Sequence, residues 1–497
     1  MKHLFYILFF ISIANIGFSQ KTIEILNANS LESSPAFGKD TYRYIGNVVF
    51  KHNDVLMYCD SAHFNTKTNI IIAYSNIHII QSDTFHIYSD FLNYYGDLKK
   101  AELRQNVKLV DDDMVLKTNF LDYFLTEKKA VYFNGGEIID SQNKLVSNEA
   151  YYYTETDLLQ FKKKVSLTNK KYNLTSDTLH YNTRTNIAYF VGPTNIISDS
   201  SSIYCERGSY NTNNDVSNYS KNAKVINKEQ TIVADSLYYD KIKGIGKGFK
   251  NVTITDTINK TIIKCNHIIF YDKEKRSIAN DSLVLIFITD EDSLYLHGDT
   301  LRTYTDTIKE KRTMCVYNNV KLFKVNLQGK CDSLIYSETD STFKLYDEPI
   351  LWSDENQITG KFIQIHKNAD KIDYMDIFEE SFIISQVDKK RFNQINGDTL
   401  YAYFRENELY RIKVNNNGKA IYYAKDDKEL YVGVNIAKCK NMLIFVENRN
   451  IKSITFLDKP EATFNPLDQV SQSDLILDGF LWHNEIRPKN KNDIFKD

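Results

Sequence analysis

Eight aromatic residues occupy one fixed place in a recurring unit: Phe64, Tyr94, Tyr123, Tyr152, Tyr181, Tyr210, Tyr239 and Phe270. Each lies four residues after a polar anchor, the series Asp60, Asp90, Asn119, Asn148, Asp177, Glu206, Asp235 and Asn266. Three residues before each anchor stand Met57, Ile87, Leu116, Leu145, Leu174, Ile203, Ile232 and Ile263. A small residue precedes each anchor directly, and two residues after it come Ala62, Leu92, Leu121, Ala150, Leu179, Gly208, Leu237 and Ile268. Self-similarity at a period of about 30 residues marks a repeat architecture, in which each unit buries its apolar face only by stacking on its neighbours.

The spacing carries geometry. Apolar or small residues three and one before the anchor alternate as a half-buried strand requires. The next apolar positions lie two and four after it, so the parity shifts once. A one-residue slip would turn every later side chain outward unless an extra residue is absorbed. A β-bulge absorbs one and bends the strand, which places a bulged corner at the anchor, its acid or amide accepting from a freed backbone N–H. A second corner is expected about sixteen residues on, at "GNVVF", "SNIHI", "QNVKL", "TNIIS", "KNAKV" and "KNVTI", because Asn tolerates left-handed backbone. Polar turns such as "NTKTN" and "IQSDT" separate the corners. With 13% aromatic residues, only 6 Pro and 18 Gly, the composition agrees with strands. The fold class expected is all-β: an elongated repeat stack of bent antiparallel strands, an open β-jellyroll of about 13 repeats of roughly 29–37 residues.

Residues 1–19 read as a cleaved signal peptide, with Lys2 and His3 before an apolar run too short to span a bilayer. Regular repeats then fill 20–290 and a divergent continuation 291–464; 465–497 breaks the rhythm and reads as a docking segment or tail. A formal net charge of −2 argues against nucleic acid, which demands a concentrated basic surface.

No motif makes a case for an enzyme. One anchor acid per repeat satisfies a corner, whereas a catalytic centre needs a few special residues in one place. "KGIGKGFK" at Lys243 lacks phosphate-loop spacing and reads as a turn. The expectation is no catalytic residue, no cofactor and no metal. Cys59, Cys205, Cys265 and Cys331 share the corner register at least two repeats apart, too far for disulfides. Cys315 and Cys439 are set in other registers, and all six are expected as buried thiols.

What remains is the inner surface. Its candidate lining is Met57, Phe64, Ile87, Leu92, Tyr94, Leu116, Leu121, Tyr123 and Tyr152, continued by Leu174, Leu179, Tyr181, Tyr210, Ile232, Leu237, Tyr239, Ile268 and Phe270. Core packing is the default for such positions; an apolar groove for acyl chains is the sharper reading.

The units "ADSLYYDKIKGIGKGFKNVTI" and "SDTLHYNTRTNIAYFVGPTNII" resemble the LptA/OstA family, the organic-solvent-tolerance-like proteins that include LptA and the N-terminal periplasmic domain of LptD. The family pattern A-D-x-φ-x-Y followed by G-N-V-x-φ is matched at Ala234–Tyr239 and Gly46–Phe50. The long OstA-like proteins of Bacteroidota look nearest, and their R-P-x-x-x-x-D-φ-F ending is similar to Arg487–Phe495. The resemblance implies a β-taco whose interior carries lipid A acyl chains and whose end strands join neighbouring proteins. The implied protein is a periplasmic bridge for lipopolysaccharide or a related acylated lipid, in the periplasm or associated with the outer membrane. Its implied partners are inner- and outer-membrane transport components, met at edges near Ile23–Leu26 and Ile454–Phe464. The alternatives are a structural or adhesive exported β-solenoid with a solid core and no lipid cargo, and a polysaccharide-active solenoid enzyme.

Overall fold

The computed structural model describes residues 23–496 apart from 142, 290–291, 370, 427–429 and 448–449. The expected signal peptide lies outside the described residues. The chain divides into two compact units, one closing at Thr194 and the other opening at Asn195. Among the described residues there are 36 strands and five short 3-10 turns, with no α-helix. No helix among the described residues is long and apolar enough to cross a membrane. The all-β repeat fold is therefore as the periodicity predicts.

In the first unit the strand Thr41–His52 pairs antiparallel with Val55–Asn65, which pairs with Ile70–Ile80, and so on in chain order through His86–Tyr95, Lys100–Asp111 and Met114–Phe124. Each strand bends once. Val48 pairs with Cys59 and Ile45 with Ser61, so Gly46 and Asn47 together face the single residue Asp60. The side chains before and after the bend, Met57 and Cys59 on one limb and Ala62 and Phe64 on the other, all turn into the buried interior. The limb ahead of the anchor is called here the leading limb, and the one after it the trailing limb.

The two expected corners are one corner seen on neighbouring strands, and the extra residue sits on the asparagine strand, not on the acid strand. At "TNIIS" the expectation fails: the left-handed residue is Gly192, which needs no Asn, and Thr194 lies past the corner, buried against Ser176. Ser75 and Asn76 both have left-handed φ, 62° and 50°, as do Gln105 and Asn106, 64° and 50°. The reason is local. Two successive left-handed residues re-aim the backbone, and Asn tolerates that conformation. Its amide then ties the corner to the acid on the adjacent strand: Asn76 Nδ2 donates to Asp60 at 2.7 Å and Asn106 Nδ2 to Asp90 at 2.6 Å. At the amide anchor Asn266 the expected backbone bond appears, the Asn251 N–H donating to Asn266 Oδ1 at 3.2 Å.

The second unit repeats the plan. Ser201–Asn211, Val216–Asn227, Gln230–Asp240, Ile245–Asp256 and Thr261–Tyr271 pair in order, with Asn222 on Glu206 at 2.8 Å and Asn251 on Asp235 at 3.2 Å. Longer strands follow, Lys371–Gln386, Phe392–Arg405, Glu408–Lys425 and Tyr431–Glu447. The six cysteines are unpaired and buried. Cys439 pairs opposite Gly418, just past the left-handed Asn416–Asn417 corner, so it shares the register of Cys59; the sequence reading had placed it elsewhere. Burial pushes the Cys59 thiol up to about 12, with Asp60 adding to it.

After its last strand the chain turns back along the outer side of the second unit's leading limb. Leu477 packs with Phe382, Ile384, Ile421, Tyr423 and Val434, and Ile494 packs with Val284 and Ile286. Three buried glutamines hold this segment. Gln394 donates to Leu475 O (2.8 Å) and accepts from Leu477 N–H (2.9 Å). Gln357 donates to Leu481 O and accepts from His483 N–H, both at 2.7 Å. Gln328 accepts from Arg487 Nε at 2.8 Å.

Candidate functional site

All of the candidate lining residues lie on the inward side of their strands, but the two units bury them differently. In the first unit Met57, Phe64, Ile87, Leu92, Tyr94, Leu116, Leu121, Tyr123, Tyr152, Leu174 and Leu179 are buried, and Tyr181 is half-buried. In the second unit Leu237 and Ile268, close to the bend, are buried, while Tyr210, Ile232, Tyr239 and Phe270, towards the limb tips, are half-buried. Ile203 and Val225 share that half-buried position.

The difference follows the tyrosine hydroxyls. In the first unit they cross the interior from the tip of the trailing limb to the tip of the leading limb. Tyr94 Oη lies 2.5 Å from His52 Nδ1, Tyr123 Oη donates to Gln81 Oε1, and Tyr152 Oη donates to Asp111 Oδ2 at 2.8 Å. A buried hydroxyl must find a partner, and here each finds one on the opposite limb. Phe85 adds a ring contact to Tyr123 at 5.3 Å, and Phe50 to Phe64 at 5.8 Å. Burial pushes the Tyr123 phenol up to about 12, and lifts Tyr152 further with the Asp111 carboxylate beside it.

Three repeats carry this latch; the fourth does not. Tyr181 Oη donates to Asn186 Oδ1 in the turn of its own limb, at 3.1 Å. In the second unit Tyr210 donates to Asp215 and Tyr239 to Asp272 at 2.8 Å, again in trailing-limb turns. Several inward positions around them are small, Ser217, Ala223, Ala234, Gly246 and Gly248, with the larger Tyr219 and Leu237 among them. A Cβ on Gly248 would meet Ile268 at 3.0 Å, and one on Gly246 would meet Phe270 at 3.4 Å.

Further along the second unit the limbs are tied again. Arg312, on a trailing limb, donates through Nη2 to Asp256 Oδ2 on a leading limb at 3.1 Å, and through Nε to Glu338 Oε1 at 3.3 Å. Phe287 crosses to Tyr336 and Phe343, with ring centroids 5.0 and 5.6 Å apart. Burial would raise the Asp256 carboxyl, but the Asn259 amides and the Arg312 guanidinium hold it below the usual carboxylate range.

Sequence reasoning missed the latch partners His52, Gln81 and Asp111. A signal existed: they precede their tyrosines by 42, 42 and 41 residues. It is not sufficient. Asp140 stands at the same offset from Tyr181, yet it accepts from Asn143 N–H in its own turn at 2.7 Å.

The terminal strands are partly apolar and solvent-facing. Glu24–Asn27 and Ser30–Glu32 both pair with Thr41–His52 and expose Leu26 and Leu31, 53% and 58% accessible. At the other end, Asn450–Leu457 and Glu461–Asn465 both pair with Tyr431–Glu447 and expose Leu457 and Phe464.

A family model described as "OstA-like protein" matches residues 20–177, 173–235 and 198–264. No curated protein matches the sequence. Among solved structures, the extracellular domain of BT4673, a one-component-system protein of B. thetaiotaomicron, aligns at 9% identity with a TM-score of 0.10. That alignment covers 86% of this chain and 91% of the other, and a score so low carries no argument.

Proposed function

This chain belongs to the OstA-like family, and from that premise we propose that it is one section of a periplasmic bridge carrying lipopolysaccharide towards the outer membrane. The family is a periplasmic, non-enzymatic one associated with lipid-transport bridges. The observation that carries the proposal is the row of aliphatic and aromatic side chains that successive strands turn inward from Met57 to Phe270. Acyl chains gain about 0.8 kcal/mol for each methylene taken from water into such surroundings.

The apolar end strands support the partner reading. An unpaired strand edge is a template for strand addition, in which backbone bonds give affinity and side-chain pockets give specificity. The edge near Ile23–Leu26 takes the inner-membrane side and the edge near Ile454–Phe464 the outer-membrane translocon. The signal peptide delivers the chain to the periplasm.

Photo-crosslinkers at Ile25 and Thr455 in living cells should capture protein partners, and depletion of the protein should leave newly made lipopolysaccharide at the inner membrane. Normal surface lipopolysaccharide after depletion, together with protein that purifies free of lipid, would leave a structural role in its place.

A further inference from the structure

We infer that acyl chains lodge in the second unit, in the interior between Ser201–Asn211 and Thr261–Tyr271, and that the tyrosine latch keeps the first unit's interior shut to them. This rests on the lipid-carrying reading and locates the cargo within it.

Three observations converge on this stretch. The inward residues Ile203, Val225, Ile232 and Phe270 are apolar and half-buried, where Phe64 in the same register as Phe270 is 5% accessible; on the leading limb the exposure ends at Ile254 and Ile263, which are buried. Tyr210 and Tyr239, in the register of the latch tyrosines, donate to Asp215 and Asp272 in turns at the tip of the trailing limb, so those bonds do not draw one limb onto the other. Towards its trailing-limb tips the interior carries the small residues Ser217 and Gly246, although Tyr219 nearer the bend is as large as Phe161 in the same register of the first unit.

The chemistry of the occupant follows from the lining. The inward side presents side chains, not backbone edges, so an inserted peptide would leave its own N–H and C=O groups unpaired at a cost of several kcal/mol. A hydrocarbon chain has no such groups. The stretch ends where Arg312 binds Asp256 across the limbs. A chain lying there has its headgroup at the limb tips, in water.

The experiment compares two equivalent phenylalanines in the full-length protein. A diazirine-bearing phenylalanine replaces Phe270 in one preparation and Phe64 in another; each is irradiated with palmitic acid and weighed intact. Labelling at Phe270 should exceed that at Phe64 several-fold. Gly246→Leu should cut the Phe270 signal several-fold with an unchanged circular-dichroism spectrum. Tyr94→Phe/Tyr123→Phe/Tyr152→Phe should raise the Phe64 signal. Equal labelling at the two positions, or more at Phe64, overturns the location and leaves lipid carriage standing. Failure of Gly246→Leu to reduce the Phe270 signal overturns it as well. An unchanged Phe64 signal in the triple variant overturns the latch. No labelling at either position, with protein from cells also lipid-free, overturns this inference and the lipid reading together.

Discussion

Tyr152 reaches across the interior of the first unit to Asp111, its hydroxyl 2.8 Å from the carboxylate, and so ties the tips of two limbs that diverge from a common bend. Tyr181 holds the same place in the next repeat and bonds Asn186 beside it. One register position thus has two uses: it clamps the limbs, or it dresses a turn.

Removing a clamp should therefore cost more than removing a turn bond. Tyr152→Phe leaves Asp111 without its buried donor and should destabilise the first unit by about 1–2 kcal/mol, whereas Tyr181→Phe should cost about 0.5 kcal/mol or less. Hydrogen exchange resolved by peptide is the suitable measurement, because two units need not unfold as one. Equal effects on the two segments would deny the clamp.

The buried phenols set an alkaline limit. Burial pushes Tyr123 and Tyr132 up to about 12, above the free phenol at about 10. A raised folded value favours the neutral form, so its stabilisation is complete below the free value and is lost as pH rises through the folded one. Absorbance titration at high pH should show a late, cooperative set of tyrosines ionising together with loss of β circular dichroism. A single smooth titration of all tyrosines near the free value would contradict it.

Asp256 sets the opposite limit. Its carboxyl is depressed, so the Arg312 tie contributes stability above the ordinary carboxylate range and loses it as pH falls through the depressed value. Acidification should loosen Thr313–Phe343 before the bend near Cys265, as read by hydrogen exchange. Asp256→Asn should bring that loosening to neutral pH. It also leaves Arg312 with Glu338 alone among its recorded acids.

The cysteines should be silent until the fold is lost. Burial raises Cys205 and Cys265 to about 11 and Cys331 to about 12, the last helped by Asp332. At neutral pH little thiolate exists to react. A thiol reagent should find few groups in native protein and six in unreduced, denatured protein, since all six are unpaired. Two or fewer in the denatured sample would mean disulfides the stack does not allow.

The segment after Asn465 should come loose when its glutamines are removed. Gln357→Ala leaves Leu481 O and His483 N–H without their shared partner, a loss of about 1 kcal/mol for each bond. Limited proteolysis should then cut between Pro466 and Lys496 faster than in the wild type, with the strands intact. An unchanged cutting rate would mean that Leu477 and Ile494 alone hold the segment.

The fold was legible because it is written many times. An aromatic four residues after each anchor and one parity shift per repeat suffice to call bent antiparallel strands, and Met57, Cys59, Ala62 and Phe64 all face inward as that parity requires. What could not be read was which strand takes the extra residue, because either solution gives the same parity. The left-handed Ser75–Asn76 pair settles it on the asparagine side. The latch was invisible for a different reason. Asp111 and Asp140 are both turn acids at one offset from a tyrosine, and only their local turns decide which is taken by Asn143 and which is left to reach across. The glutamine clasp escaped notice because Gln328, Gln357 and Gln394 face away from the interior, on the side that a repeat analysis treats as solvent.

That clasp imposes an order on biogenesis. The segment that covers Val284, Ile286, Phe382 and Val434 follows every one of those strands in the chain. As the polypeptide emerges, the outer side of these strands stays bare, a greasy β-surface of the kind that invites aggregation, until Leu477 and Ile494 arrive to cover it. A chain cut short after Asn465 has its ladder of strands complete and its coat missing, a distinction that a chaperone or protease can read from the bare flank alone.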